Sequence, residues 1–273
     1  MKVLKKIFDF YLNASIHVAF SVYAMLRITE IYFNLPYDKN LDYFIFYGTI
    51  TGYNFVKYAG VAKLHHISLT DNLKIIQIFS FFCFLAMCYY ASLIDFKVLL
   101  FTIPFSLLTV LYAVPFLRGF AKNLREVSYF KIVIVAIVWA GFTALIPLLN
   151  VNIEIDFFTI LFVIQRFLFV IILILPFDIR DVKYDAISLQ TIPKKIGVEK
   201  TKNLGSILLV ITLVLEFLIP SDQVTKTPFL LFFFLVIMFL MRAKIDQPKY
   251  YSSFLVESLP IVWWFILLGF HNF

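Results

Sequence analysis

Three aspartates, Asp178, Asp181 and Asp185, fall in the stretch "LPFDIRDVKYDAISLQTIPKKIG", residues 175–197, directly after the apolar run "DFFTILFVIQRFLFVIILI". Their spacing is i, i+3, i+7, so on a helix of 3.6 residues per turn the three side chains point within about 60° of one another. Carboxylates gathered at a membrane boundary repel one another and take up protons unless a cation lies among them. Oxygen ligands with room for water suit Mg²⁺, which binds through one or two carboxylates together with substrate phosphates. The competing reading is a solvated helix end with local ion pairs. Adjacent and i, i+2 residues do not face each other on a helix, so the spacing predicts that Arg180 and Lys183 leave the acidic face unneutralised.

The elements that must position this face are membrane helices. At 62% hydrophobic and 19% aromatic residues the chain is far more apolar than a globular protein. Its apolar material is divided into blocks of about 20 residues, the length that crosses a bilayer as helix. Spans are expected at about 14–34, 41–62, 75–94, 98–116, 131–150, 157–177, 204–220, 227–241 and 254–270. The expected fold is therefore all-α, a polytopic helical bundle of about nine transmembrane helices forming one domain over residues 1–273. The N-terminal stretch has the basic flank of a signal peptide, but Asp9, Asn13 and His17 interrupt its apolar part, and it is expected to stay on the protein.

Charge orients the bundle. With the N-terminus cytoplasmic, only Lys39, Lys97 and Lys226 of the 24 Lys and Arg residues fall in segments on the far side, and Arg27, Lys57 and Arg166 fall within spans. All the others flank the cytoplasmic ends, as positive residues do. This arrangement puts the C-terminus on the far side and the Asp178 face at the cytoplasmic end of the sixth span, in a membrane read as a bacterial inner membrane. The net charge of +7 is accounted for by topology and anionic lipid headgroups, and calls for no nucleic acid. No P-loop, GxSxG, HExxH or dinucleotide-binding fingerprint occurs.

"DIRDVKYD" followed by "TIPKKIG" resembles the second aspartate-rich motif of the UbiA superfamily of intramembrane prenyltransferases, D-x-x-D-x-x-x-D followed by a Thr-hydrophobic-Pro segment ending at Gly. The patch "LYAVPFLRGFAKNLREVSYFKIVIVAIVWAG" is similar to that family's fourth-helix exit and fifth-helix entry. The resemblance implies a transferase that releases a prenyl chain from its diphosphate and joins it to an acceptor, with Mg²⁺ holding the diphosphate between two aspartate clusters. It implies Asp178 and Asp181 as catalytic metal ligands, with Asp185 as a further ligand or support. Arg118, Lys122 and Lys194 would bind phosphate oxygens, and Asn54 would orient the diphosphate or a metal-bound water. The partners are then a prenyl diphosphate, a hydrophobic or aromatic acceptor and the bilayer; acceptor and oligomeric state are not readable from the sequence.

The chain departs from the family at the first aspartate cluster, where N-x-x-x-D-x-x-x-D is expected and "NFVKYAGVA" stands. Asn54 matches, Tyr58 and Ala62 replace the two aspartates, and Lys57 adds a cation. A carboxylate-poor site holds Mg²⁺ weakly, so Lys57 is expected to take over part of a metal's role as a point charge on the diphosphate, unless it snorkels to the headgroups. A rival reading is a non-catalytic relative that serves as scaffold, lipid binder or transporter. Arg27, Glu30, Arg166 and Glu216 read as structural intramembrane charges, and Cys83 and Cys88 as packing residues.

Overall fold

The computed structural model describes residues 2–58, 71–114, 130–183 and 191–271, and their regular structure is helical throughout. The helices are α1 (Lys2–Asn13), α2 (Ile16–Tyr32), α3 (Lys39–Tyr58), α4 (Asp71–Ala91) and α5 (Phe96–Ala113). Next comes a single rod made of α6 (Phe130–Ala140), a π-helical turn (Gly141–Leu145) and α7 (Ile146–Asn150). After it follow α8 (Phe157–Asp181), α9 (Ile192–Ile196), α10 (Val198–Leu218) and α11 (Gln223–Arg242). A second π turn (Tyr251–Val256) leads into α12 (Leu259–His271).

Each of the nine expected spans coincides with one of these rods to within a few residues. Among the described residues seven rods are long and apolar enough to cross a membrane. The two that fall short are α2 and α3. α2 has only 17 residues, because the chain breaks at residues 14 and 15 before it. α3 is diluted by Asp42, Asn54, Lys57 and several Gly, Thr and Tyr residues. Conversely α10 and α11 begin earlier than expected, because the polar turns "VEKTKN" and "QVTK" belong to their helices; Lys202 is secured there by Glu199, 3.0 Å away.

The rods close into a ring. α2 packs on α3, α3 on α5, α5 on α6, α6 on α8, α8 on α10, α10 on α11, α11 on α12, and α12 returns to α2, with α4 laid against the outside of α3. α2 is buried on nearly every side and crosses the first π turn. That turn has a readable cause. Pro147 has no N–H to give the Thr143 carbonyl four residues back, and the Thr29 hydroxyl donates to that carbonyl instead, at 2.6 Å.

One apolar core joins most of the ring, with Phe169, Phe229, Phe232 and Trp263 at its centre. The fully buried Arg166 of α8 lies in this core with its guanidinium over the rings of Phe162, Trp263 and Tyr32, at 4.2, 4.4 and 4.8 Å from their centroids. Glu216 of α10 lies close by and accepts hydrogen bonds from Tyr32 Oη at 3.0 Å and Gln165 Nε2 at 2.9 Å. Toward the same end of α2, Arg27 pairs with Glu30 on its own helix and with Asp42 of α3. Both arginines thus have the structural settings expected of them, although Arg166 is held chiefly by aromatic faces. α1 lies apart from the core, with Val3, Leu4 and Ile7 exposed on one side, and Lys249 and Tyr250 of the loop before α12 tie it down through Asp9 at 2.7 and 2.8 Å.

Candidate functional site

The acidic face closes the last turn of α8. Asp178 is 1% exposed, and its Oδ1 accepts a hydrogen bond from Lys131 Nζ at 2.8 Å. Lys131 lies in the first turn of α6, which packs alongside α8. Each charge sits at the unfavourable end of its own helix: a cation at an N-terminus, an anion at a C-terminus, each placement costing about 0.3–1 kcal/mol. Two local preferences are broken to make one pair, the pattern found at functional positions. Nothing in the sequence's local spacing marks this pair, since its members are 47 residues apart.

Asp181 is neutralised too. Arg180 Nε and Nη2 donate to its two oxygens at 2.7 and 3.2 Å. The expectation that neighbours on a helix leave each other unpaired is corrected here. That rule describes Cβ directions, whereas a guanidinium on a three-carbon stem can fold back along a helix end. Lys183 turns outward to Asp246, at 2.8 Å.

The pairs belong to a longer alternation of charge. Lys131 also interacts with Asp181 and with Tyr112 of α5. Arg180 interacts with Glu257, which follows the second π turn, and Glu257 in turn with Lys57. Lys131 and Glu257 were both passed over in the sequence. Lys131 could have been found from its place on α6, where Lys131, Ile134, Val135, Val138 and Trp139 follow one another at helical i, i+3, i+4, i+7, i+8 spacing.

The first-motif residues do different work. Asn54 is buried and fully engaged: its Nδ2 donates to Ala14 O at 3.0 Å and Ser80 Oγ at 2.7 Å, and its Oδ1 accepts from Ser15 Oγ at 2.7 Å. Lys57 Nζ donates to Ser15 Oγ at 2.9 Å and Leu12 O at 3.4 Å, and Tyr58 Oη to Asn13 O at 3.0 Å. All three therefore hold the corner between α1 and α2. That corner needs support because Ser15 has a φ of 60°, a left-handed conformation that costs a non-glycine residue energy. Of the other expected residues, Lys194 lies half-buried on α9, which packs against α8 and α10. Arg118, Lys122 and Asp185 lie outside the described residues, as do Ala62, His65 and His66.

Beside the charge cluster a cavity of about 520 Å³ runs between α3, α4, α5 and α6, a size typical of small-molecule sites. Its walls include Tyr53, Met87, Thr109, Tyr112, Trp139 and Phe142. The threonines among the wall residues turn back on their own helices: Thr49 Oγ1 donates to Ile45 O at 2.7 Å and Thr109 Oγ1 to Phe105 O at 3.0 Å. Trp139 Nε1 donates to Tyr53 Oη at 2.7 Å. With those polar atoms occupied, the cavity offers a nearly continuous apolar surface. The α6 face that begins at Lys131 continues as the cavity wall through Ile134, Val135, Val138 and Trp139.

The described residues do not by themselves make up the two-cluster Mg²⁺ site that the sequence resemblance implies, and Asp185, the third carboxylate of its second cluster, lies outside them. Among the described residues no three His, Cys, Asp or Glu side chains gather where they could hold a metal ion. Asp178 and Asp181 are each matched to a protein cation, and the first-motif positions brace a helix corner.

No family model and no curated protein matches the chain. Solved structures do. A digeranylgeranylglyceryl phosphate synthase shares 16% identity over 99% of this chain and 98% of its own, with a TM-score of 0.57. A UbiA homolog from Archaeoglobus fulgidus, bound to GPP and Mg²⁺, shares 12% identity over 97% of this chain and 99% of its own, with a TM-score of 0.59. Likeness at such low identity and over both full lengths is likeness of architecture: the chain has the fold of the UbiA-type intramembrane prenyltransferases.

Proposed function

We propose that the protein is an integral membrane transferase that takes a prenyl diphosphate and passes its isoprenoid chain to an acceptor. The observation that carries this reading is the continuity of the α6 face, which starts at a cation and continues as the wall of an apolar cavity. Such a surface matches an amphiphile with a long apolar tail and an anionic head. The solved relative bound to GPP supports the same class of ligand.

In this reading the tail lies in the α3–α6 cavity, and the head lies at the cluster around Lys131 and Arg180. As the allylic C–O bond breaks, negative charge grows on the departing diphosphate, and fixed cations beside it stabilise that charge more in the transition state than in the ground state. The allylic fragment left behind is cationic and lies at the mouth of the tail cavity, next to the departing diphosphate. The acceptor then forms the new bond to carbon and gives up a proton, so that diphosphate and the prenylated acceptor are the products. The orientation follows the basic flanks, with the cluster and the N-terminus on the cytoplasmic side and the C-terminus beyond the membrane; reporter fusions after residues 190 and 246 should read as cytoplasmic and one after 223 as external.

A second reading has its own support. Asn54, Lys57 and Tyr58 brace a helix corner, which suits a relative that binds a prenyl lipid without turning it over. Purified protein in nanodiscs, given geranyl diphosphate and a membrane lipid extract as acceptor source, separates the two. Release of inorganic diphosphate above the protein-free rate supports the transferase. Quenching of tryptophan fluorescence by geranyl diphosphate that is lost in Trp139→Phe, without any release, supports the non-catalytic binder, and the absence of both refutes the binding site.

A further inference from the structure

A diphosphate ester brings several negative charges to its site. A pocket walled by bare carboxylates can receive it only if divalent cations come between the two. The cluster at the end of α8 is built otherwise, because both of its described aspartates, Asp178 and Asp181, are paired with protein cations. Asp178 has Lys131 at 2.8 Å and Asp181 has Arg180 at 2.7 Å. An incoming phosphate therefore meets a balanced group of charges with mobile donors in it, in place of an acidic wall.

Lys131 is the member best placed to act on it. Its side chain is 20% exposed, so it is reachable although it pairs with a carboxylate that is 1% exposed. An ammonium has three N–H donors, and the bond to Asp178 occupies one of them. It stands at the start of the α6 face that lines the cavity, and it interacts with Tyr112 on the opposing wall. Lys131 is thus fixed at the junction of tail space and head space by the same aspartate that a metal would use.

We infer that Lys131, with Arg180 beside it, holds the diphosphate head directly in the place of a metal ion, so that this protein binds prenyl diphosphates without a divalent cation. The inference rests on the prenyl diphosphate reading and adds to it the means by which the head is recognised. Asp178 is in this account a positioning residue that keeps the ammonium charged and in place.

The test is geranyl diphosphate titrated into the full-length protein in nanodiscs, with Mg²⁺ and with EDTA, and with geraniol as the headless control. Affinity in EDTA should stay within about threefold of that in Mg²⁺, a difference of under 1 kcal/mol. Lys131→Met should weaken binding in EDTA about tenfold to a hundredfold, the worth of a charge-assisted hydrogen bond, and Lys131→Arg should restore most of it. Removing the lysine alone strands a buried carboxylate, so the double variant Lys131→Met/Asp178→Asn is measured beside it and should show the same loss. Asp178→Asn alone should weaken binding less than Lys131→Met does, and by the same factor in EDTA as in Mg²⁺, whereas a metal ligand so changed would weaken binding in Mg²⁺ and leave binding in EDTA unchanged. Binding of geranyl diphosphate that disappears in EDTA, or a double variant with unchanged affinity, overturns the inference and leaves the proposed function standing. Geraniol binding as tightly as geranyl diphosphate also overturns it, since the head would then contribute nothing. Failure of both ligands to bind under any condition refutes the proposed function itself, and this inference with it.

Discussion

Thr29→Val removes one oxygen from the molecule and puts a methyl of nearly the same shape in its place. The lost hydroxyl is the 2.6 Å donor to the Thr143 carbonyl, and both residues are fully buried. The ordinary helical donor is missing as well, because the residue four positions on is Pro147. A buried acceptor left without a partner costs about 1–3 kcal/mol, while polar contacts between membrane helices measured by double-mutant cycles average about 0.6 and reach about 1.7 kcal/mol. The Thr143 carbonyl belongs to a fully buried residue, so the upper part of the second range applies, at about 1–1.7 kcal/mol. For a chain of this size that lowers the melting temperature by roughly 2–7 °C, measurable by tryptophan fluorescence in detergent. Pro147→Ala supplies the missing N–H, so the loss caused by Thr29→Val should largely disappear in the Pro147→Ala background. Additive effects of the two substitutions would refute the claim that threonine compensates for proline. The result bears on function because Trp139 and Phe142, on the cavity wall, lie in and beside this π turn.

Other outcomes follow from the two attachments of α1. The Lys249 hydrogen bond holds the Asp9 carboxyl below its usual 3.8, with Tyr250 assisting, and the Asp9 bond holds Lys249 above 10.5. A lowered carboxyl stabilises above its unfolded value and a raised ammonium stabilises below its own, so the tether should persist between pH 3.8 and 10.5 and loosen beyond either limit. Spin-label distances between α1 and the 243–250 loop check this, and Asp9→Asn should remove the acid-side change. Lys57→Met should loosen the α1–α2 corner by roughly 1 kcal/mol, raising proteolysis between residues 10 and 16, with little change in geranyl diphosphate affinity; a large affinity loss would return Lys57 to the head-binding site.

The rods were legible in the sequence because hydropathy blocks, Pro and Gly punctuation and flanking charge all act locally. Phe157–Asp181 is a long apolar run closed by charges, and no tertiary contact is needed to read it as a helix. The corner at Ser15 was invisible, since neither Gly nor Pro marks it and its supports come from residues about 40 positions away. The acidic face was readable as a helical face, but its chemistry was not. What Asp178 does depends on which cation reaches it, and that is decided by the packing of α6 on α8. Lys131 looked like one more basic residue at a span end, a class that topology had already explained. Lys57 was conspicuous for standing in a departed motif, yet its ammonium lies on Ser15 and Leu12, and Lys131 is the lysine that reaches Asp178.

The buried Arg166 has a consequence for how the chain is made. A charged residue at the centre of a helix costs at least about 2.5–3.5 kcal/mol to leave facing lipid. Its aromatic enclosure is completed by Tyr32 of α2 and Trp263 of α12, which are separated by most of the chain. When α8 enters the bilayer its guanidinium has Phe162 and Tyr32 to lie against, Glu216 follows with α10, and the enclosure closes only when Trp263 arrives with α12. Folding of the ring's last helix is thereby tied to its first: the ring is completed by the same Trp263 that covers the buried charge.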